Sequence, residues 1–352
     1  MYSLFIVIIA LGMIVYRPRI IDVMVISFVG VLTYISTNVA DFNSYRNIYY
    51  NITPGKYYET GYGWYVINNF GRNLGLDYAG LKACLVVIGT LLIMSTVRYF
   101  LGHNPNMFWG LYLLYPALID LIQIRFFTAL CIVVFALRFL VGDKLRGIVI
   151  YVLLVIVAVS IHTSTGFFVL FALAKYFDKY RKYVYGVITV FLITSTLFKN
   201  FIIQIIEIFA NTRQMSYVYA SNNIASYRDF IFYVLMLITF MAISQQAYKI
   251  LKNNKQSYSQ REIMLAKLAS EINLCMLVLV PLLTFSSDFI RVQRISWLLI
   301  YLLFTMLAEK NIYFTIGRVN IGSKLMSFTL ALFGYCVMLL HYAPAVVQGF
   351  FG

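Results

Sequence analysis

Apolar runs separated by short polar breaks recur along the whole chain, near residues 2 to 16, 20 to 37, 79 to 98, 106 to 121, 125 to 141, 147 to 162, 164 to 177, 184 to 198, 229 to 248, 268 to 285, 295 to 308 and 324 to 343. About 20 apolar residues in a helix cross the roughly 30 Å of bilayer hydrocarbon. Backbone polar groups in lipid must be paired within the segment that carries them. The pattern therefore predicts an all-α, polytopic integral membrane protein with about 12 transmembrane helices in a single membrane domain. The alternating ten-residue pattern of an outer-membrane barrel is absent. The opening run, MYSLFIVIIALGMIV, is short for a span, a mismatch that tilt and local thinning of the bilayer absorb. It has no basic leader and no small-residue cleavage site, so it reads as a retained helix and not a removed signal peptide.

Composition agrees with the pattern: the 352 residues are 62% hydrophobic and 12% charged, against about half apolar and about a quarter charged in a soluble domain. The four cysteines each sit inside an apolar run without metal or redox spacing and read as small core residues.

Charge sets an expected orientation. With both termini outside, 18 of the 28 lysines and arginines fall in inner connections, as the positive-inside bias requires. The polar segments 38 to 78 and 199 to 228 then face the exterior. The net charge of +15 is explained by this topology and by anionic lipid heads, not by nucleic acid.

Outer charges need a separate account. SSDFIRVQRIS, residues 286 to 296, places Asp288, Arg291 and Arg294 three apart between two uncharged runs. If helical, the three are neighbours, and the aspartate can fix an arginine whose planar fork matches phosphate oxygens. Arg125 opens an otherwise uncharged span, and His162 stands at an outer helix end. Charged groups at such positions usually line a wet cavity or pair with each other, although a single arginine can snorkel to the headgroups and a single histidine is more often structural. The stretch ADFNSYRNIYYNITPGKYYETGYGWY holds seven tyrosines, among them Tyr45 and Tyr62, together with Trp64, Arg46 and Glu59. Its rings suit sugar faces, or an interfacial aromatic belt. Three scattered histidines form no metal motif, and phosphate-loop and dinucleotide patterns are missing.

Taken in order, Asp41 with Tyr45 and Tyr49, Glu59-Thr60-Gly61-Tyr62-Gly63-Trp64, Ile124-Arg125-Phe126, Ile161-His162-Thr163-Ser164 and Asp288-Phe289-Ile290-Arg291-Val292-Gln293-Arg294 resemble the EpsG family of Wzy-like polymerases of bacterial capsular and extracellular polysaccharide. One departure is Phe126, where the family often carries a polar residue; the nearest glutamine is Gln123. The resemblance implies a glycosyltransferase of the bacterial cytoplasmic membrane. It would join oligosaccharide repeat units carried on undecaprenyl diphosphate, need no cofactor or metal, and have a chain-length regulator protein as a partner. On that reading Arg125, Arg291, Arg294 and Arg46 hold the diphosphate. His162 or Glu59 accepts the attacking hydroxyl's proton, Asp288 orients an arginine, and Tyr45, Tyr62 and Trp64 contact sugar. The alternatives are an O-antigen-type ligase and a secondary transporter or flippase, the latter usually marked by an internal repeat that is not evident here.

Overall fold

The computed structural model describes residues 1–15, 19–51, 61–102, 106–142, 145–198, 204, 227–254, 258–310, 312–316 and 319–351. Among the described residues each of the twelve apolar runs lies mainly on helix, so the molecule is an all-α membrane protein, with one small exception among those residues. That exception is an antiparallel hairpin of β1 (Tyr313–Ile316) and β2 (Val319–Gly322), with Tyr313 opposite Gly322. Four described helices are long and apolar enough to cross a membrane: Tyr78–Leu101, Tyr227–Asn253, Gln260–Leu282 and Asp288–Glu309. The described part of the chain divides into two compact units, residues 1–166 with 301–352 and residues 167–300.

The first unit begins with α1 (Tyr2–Ile14) and α2 (Arg19–Ile35), followed by two short helices, α3 (Phe42–Asn51) and α4 (Tyr62–Asn73). Then come α5 (Tyr78–Leu101), α6 (Asn106–Leu114), α7 (Ala117–Ile122), α8 (Ile124–Ala136) and α9 (Leu145–Ile161). Helix α5 packs on α2 and α8, and α9 packs on α8 and α4. Helices α1 and α6 meet through their glycines: a Cβ on Gly12 would lie 2.9 Å from the Gly110 nitrogen, so small residues let the two backbones touch. Asp77 caps α5, its Oδ1 accepting from the Gly80 N–H at 2.7 Å, and Gly102 ends the helix in the left-handed conformation at φ 74°.

The described residues of the region 38–78, expected as a polar outer segment, include two helices. Their apolar residues recur at helical spacing, with Phe42 and Tyr49 buried on α3 and Trp64, Asn68 and Gly71 buried on α4. Mean hydropathy over the stretch conceals this, because each helix has one aromatic side and one polar side. Of the other expected outer segment, 199 to 228, all but Gln204, Tyr227 and Arg228 lies outside the described residues.

The second unit starts in a 3-10 helix, Thr163–Leu173, whose first residues belong to the first unit, and continues with α10 (Ala174–Lys179), α11 (Arg181–Leu197), α12 (Tyr227–Asn253) and α13 (Gln260–Cys275). Ser259 and Glu262 form a capping box at the start of α13, which extends that helix two turns ahead of its apolar run. A short 3-10 turn leads into α14 (Leu279–Leu282), and a second 3-10 helix, Ser287–Gln293, leads into α15 (Arg294–Glu309), which belongs to the first unit from Tyr301 onward. The last helix, α16 (Ser323–Phe351), packs on α6 and α7 of that first unit.

Candidate active site

In the first unit the chain brings together residues that are far apart in sequence. Arg125, the second residue of α8, is buried, and its Nε donates to the Ile161 carbonyl at 2.6 Å. That bond ties the guanidinium to the end of α9, one residue before His162. The Nη2 of the same arginine meets the turn that starts α4. Gly61 caps α4 with φ 90°, and a Cβ there would lie 2.7 Å from the Ser160 carbonyl and 3.2 Å from Arg125 Nη2. Gly63 is as close: an added Cβ would collide with Ser160 Oγ and sit 3.0 Å from Ile161. The Gly61-Tyr62-Gly63 turn therefore lies directly on Ser160-Ile161 because it lacks side chains at two positions.

His162 ends this cluster. Its ring stands edge-on to Phe126 at 5.3 Å between centroids, and its Nδ1 accepts from the Ser164 backbone N–H at 3.3 Å. A neutral imidazole whose Nδ1 is an acceptor carries its proton on Nε2. Phe126, the departure from the family pattern, is 1% exposed and supports the histidine ring from the side.

The aromatic segment divides by exposure. Tyr62 is 61% exposed, Tyr45 is half-buried, and Trp64 is fully buried, with the Tyr45 ring edge-on to it at 5.9 Å. Trp64 was expected to contact sugar; here its faces are taken up by packing, because position 64 falls on the buried side of α4. Arg46 is exposed on α3. Tyr49 Oη donates to the Leu76 carbonyl at 2.5 Å. Burial, and then the neighbouring Tyr50, raise its phenol above the ordinary tyrosine value, so it remains a neutral donor. Glu59, the other expected proton acceptor, lies outside the described residues.

The second unit holds the other group. Ser286 Oγ accepts from the Asp288 N–H at 3.2 Å and caps the 3-10 helix Ser287–Gln293. Three residues per turn place residues three apart on one side of such a helix, so Asp288, Arg291 and Arg294 stand in line. Arg291 Nε donates to the Asp288 carbonyl at 3.0 Å, and its Nη2 is bonded to the Asp288 carboxylate. Asp288 thus occupies one edge of the guanidinium and leaves the Nη1 edge turned elsewhere. Arg294, 4% exposed, is the first residue of α15. Between the two arginines lies Gln293, 1% exposed, with neither amide atom bonded among the described residues. No role was expected for this glutamine, and nothing in its sequence context marks it as buried; only the turn geometry does.

Arg125 occupies the first turn of α8, where the backbone dipole is positive and acidic side chains are normally preferred, so cation and helix end together make its position attractive to an anion. Arg294 instead continues from the 3-10 helix, its N–H bonded to the Arg291 carbonyl. Among the described residues no group of three or more metal-binding side chains occurs.

The chain belongs to the EpsG family, whose model matches residues 19–351, nearly its full length. No curated protein and no solved structure matches it.

Proposed function

We propose that this protein is a polysaccharide polymerase of the bacterial cytoplasmic membrane, working at its outer face on repeat units carried by undecaprenyl diphosphate. A hydroxyl of the incoming unit attacks C1 of the reducing-end sugar of the growing chain. The C1–oxygen bond to the diphosphate breaks, a glycosidic bond forms, and the hydroxyl proton passes to a protein base. Family membership points to polysaccharide synthesis, and the observation that carries the chemical reading is the fixed pose of Arg125 between Gly61 and Ile161, beside His162.

Negative charge on the diphosphate grows as its bond to C1 breaks. Donors already held in place stabilise that state most, because they need not reorganise when the charge appears. Arg125 is held by Ile161 and Arg291 by Asp288. Arg294 adds a buried cation. Arg46, exposed on α3, is suited to a phosphate at the rim. With Nδ1 engaged by Ser164, His162 serves as a donor through Nε2 to a sugar hydroxyl, and the base role falls to Glu59. Tyr62 and Tyr45 offer ring surface to the glycan.

The test is to incubate the purified protein with its lipid-linked repeat unit. A ladder of products supports polymerisation, transfer of one block to a different acceptor supports a ligase, and no covalent change supports transport. Arg291→Ala and Arg294→Ala should each insert normally and slow ladder formation by about 10²–10³-fold, the usual cost of one preorganised oxyanion donor. Full-length polymer at the normal rate from both variants would remove these arginines from the mechanism.

A further inference from the structure

Beneath α3 lies a set of polar atoms that the mechanism does not use. Lys82, one turn into α5, is 1% exposed, and among the described residues its Nζ has no hydrogen-bond partner. What it meets is the Phe42 ring, 5.6 Å from the centroid. Tyr78 Oη on α5, and Trp64 Nε1 and Asn68 Oδ1 on α4, are likewise buried and without partners. Burying an ammonium group unpaired costs several kcal/mol, and each unpaired neutral group adds to that. A position that only had to be filled would be served at lower cost by Leu or Met.

One face of α3 covers Lys82, Tyr78 and Trp64, and Asn68 lies one turn along α4 from Trp64. Phe42 packs on Tyr78 at 5.1 Å, Tyr45 on Trp64 at 5.9 Å, and Tyr49 on Tyr78 at 5.9 Å. The chain enters α3 through Asp41, a non-glycine residue in the left-handed region at φ 65°. Lys82, Tyr78 and Trp64 supply donors, and Asn68 supplies an acceptor. That combination matches an oxyanion with a hydroxyl close by.

We infer that the space under α3 is a binding site for an oxyanion of the substrate, phosphate or carboxylate, with Lys82 as its principal cation and Tyr78, Trp64 and Asn68 completing its hydrogen bonds. The ligand enters as α3 lifts from α4 and α5. The ligand's identity as part of a lipid-linked glycan rests on the function proposed above; the site itself does not.

The test compares wild type, Lys82→Met and Tyr78→Phe as purified full-length proteins in lipid nanodiscs, titrated with inorganic diphosphate and, separately, with glucuronate. Lys82→Met should melt higher than wild type without ligand, because a buried unpaired charge is gone, and should bind the effective probe about tenfold or more weakly. Tyr78→Phe, which keeps the ring, should bind that probe several-fold more weakly. Binding of diphosphate assigns the site to the lipid phosphates, and binding of glucuronate alone assigns it to an acidic sugar. Failure of both probes to bind wild type, unchanged affinity in both variants, or a lower melting temperature for unliganded Lys82→Met overturns the site. A product ladder with binding independent of Lys82 sinks this site alone, whereas no ladder with Lys82-dependent binding sinks the polymerase reading alone.

Discussion

Gly61 and Gly63 show most directly how single residues build the first cluster. Alanine at 61 would have to adopt φ 90° and place its methyl 2.7 Å from the Ser160 carbonyl; alanine at 63 would strike Ser160 Oγ. Either change pushes the turn away from Arg125, and overpacking of this kind costs about 1–3 kcal/mol. Gly61→Ala and Gly63→Ala should therefore lower the melting temperature and slow ladder formation, while Gly75→Ala, whose added methyl meets nothing within 4 Å, should leave the ladder intact despite its φ of 72°. Equal loss in all three would mean that backbone strain, not contact with Ser160, is what matters. The glycines were legible in the sequence as part of a ring-rich motif, but their partner was not, since Ser160 is about a hundred residues away and one sequence carries no pairing information. The burial of Trp64 was hidden for a related reason: an indole looks the same in a sugar platform and in a core until the helix that carries it fixes which way it points. Asp288 was easier to read, because its partner Arg291 is only one turn along the same segment.

Elements were read well where they are uniformly apolar and poorly where they are two-sided. Among the described residues the twelve runs found by hydropathy all lie mainly on helix, whereas α3 and α4 were taken for a polar outer segment. Their aromatic faces are paired with Asn, Ser and Arg, and averaging across both faces cancels the signal. The run 164 to 177 also differs, being a 3-10 helix until Leu173 before it becomes α-helical. Asp22 is a further case. In the sequence it is a lone acid near the start of an apolar run, yet it joins three helices: Oδ2 accepts from Arg98 Nη2 at 2.5 Å and Oδ1 from Trp109 Nε1 at 2.7 Å. Asp22 is 2% exposed, so Asp22→Ala would strand the indole N–H in the core, while the partly exposed arginine could recover water. The expected loss is about 1–3 kcal/mol, seen as a lower melting temperature in detergent, with Asp22→Asn closer to wild type because an amide oxygen can still accept one of the two bonds. A neutral result for Asp22→Ala would mean that α2, α5 and α6 are held by apolar packing alone.

At the scale of the whole molecule, the proposed chemistry depends on sidedness, which helix length alone does not decide. Eighteen of the 28 cations fall in the connections assigned to the inside, and the strength of that bias is why Arg125, Arg291 and Arg294 are expected on the opposite face. Two exposed positions make the assignment measurable: Ser44 on α3, in the segment expected outside, and Asn253 at the end of α12, beside a lysine-rich connection expected inside. The four native cysteines are free, two of them exposed, and must first be replaced. In that background Ser44→Cys should react with a membrane-impermeant maleimide in intact cells, and Asn253→Cys only after the membrane is opened. The reverse pattern would put Arg125, His162 and Arg291 on the cytoplasmic face, away from the repeat units they are proposed to join. Reaction of both positions in intact cells would break the odd number of crossings expected between them, and with it the outer placement expected for the arginines. Labelling at Ser44 has a second use, because α3 covers Lys82: a reactivity that falls when an oxyanion binds would report closure of that helix over its ligand.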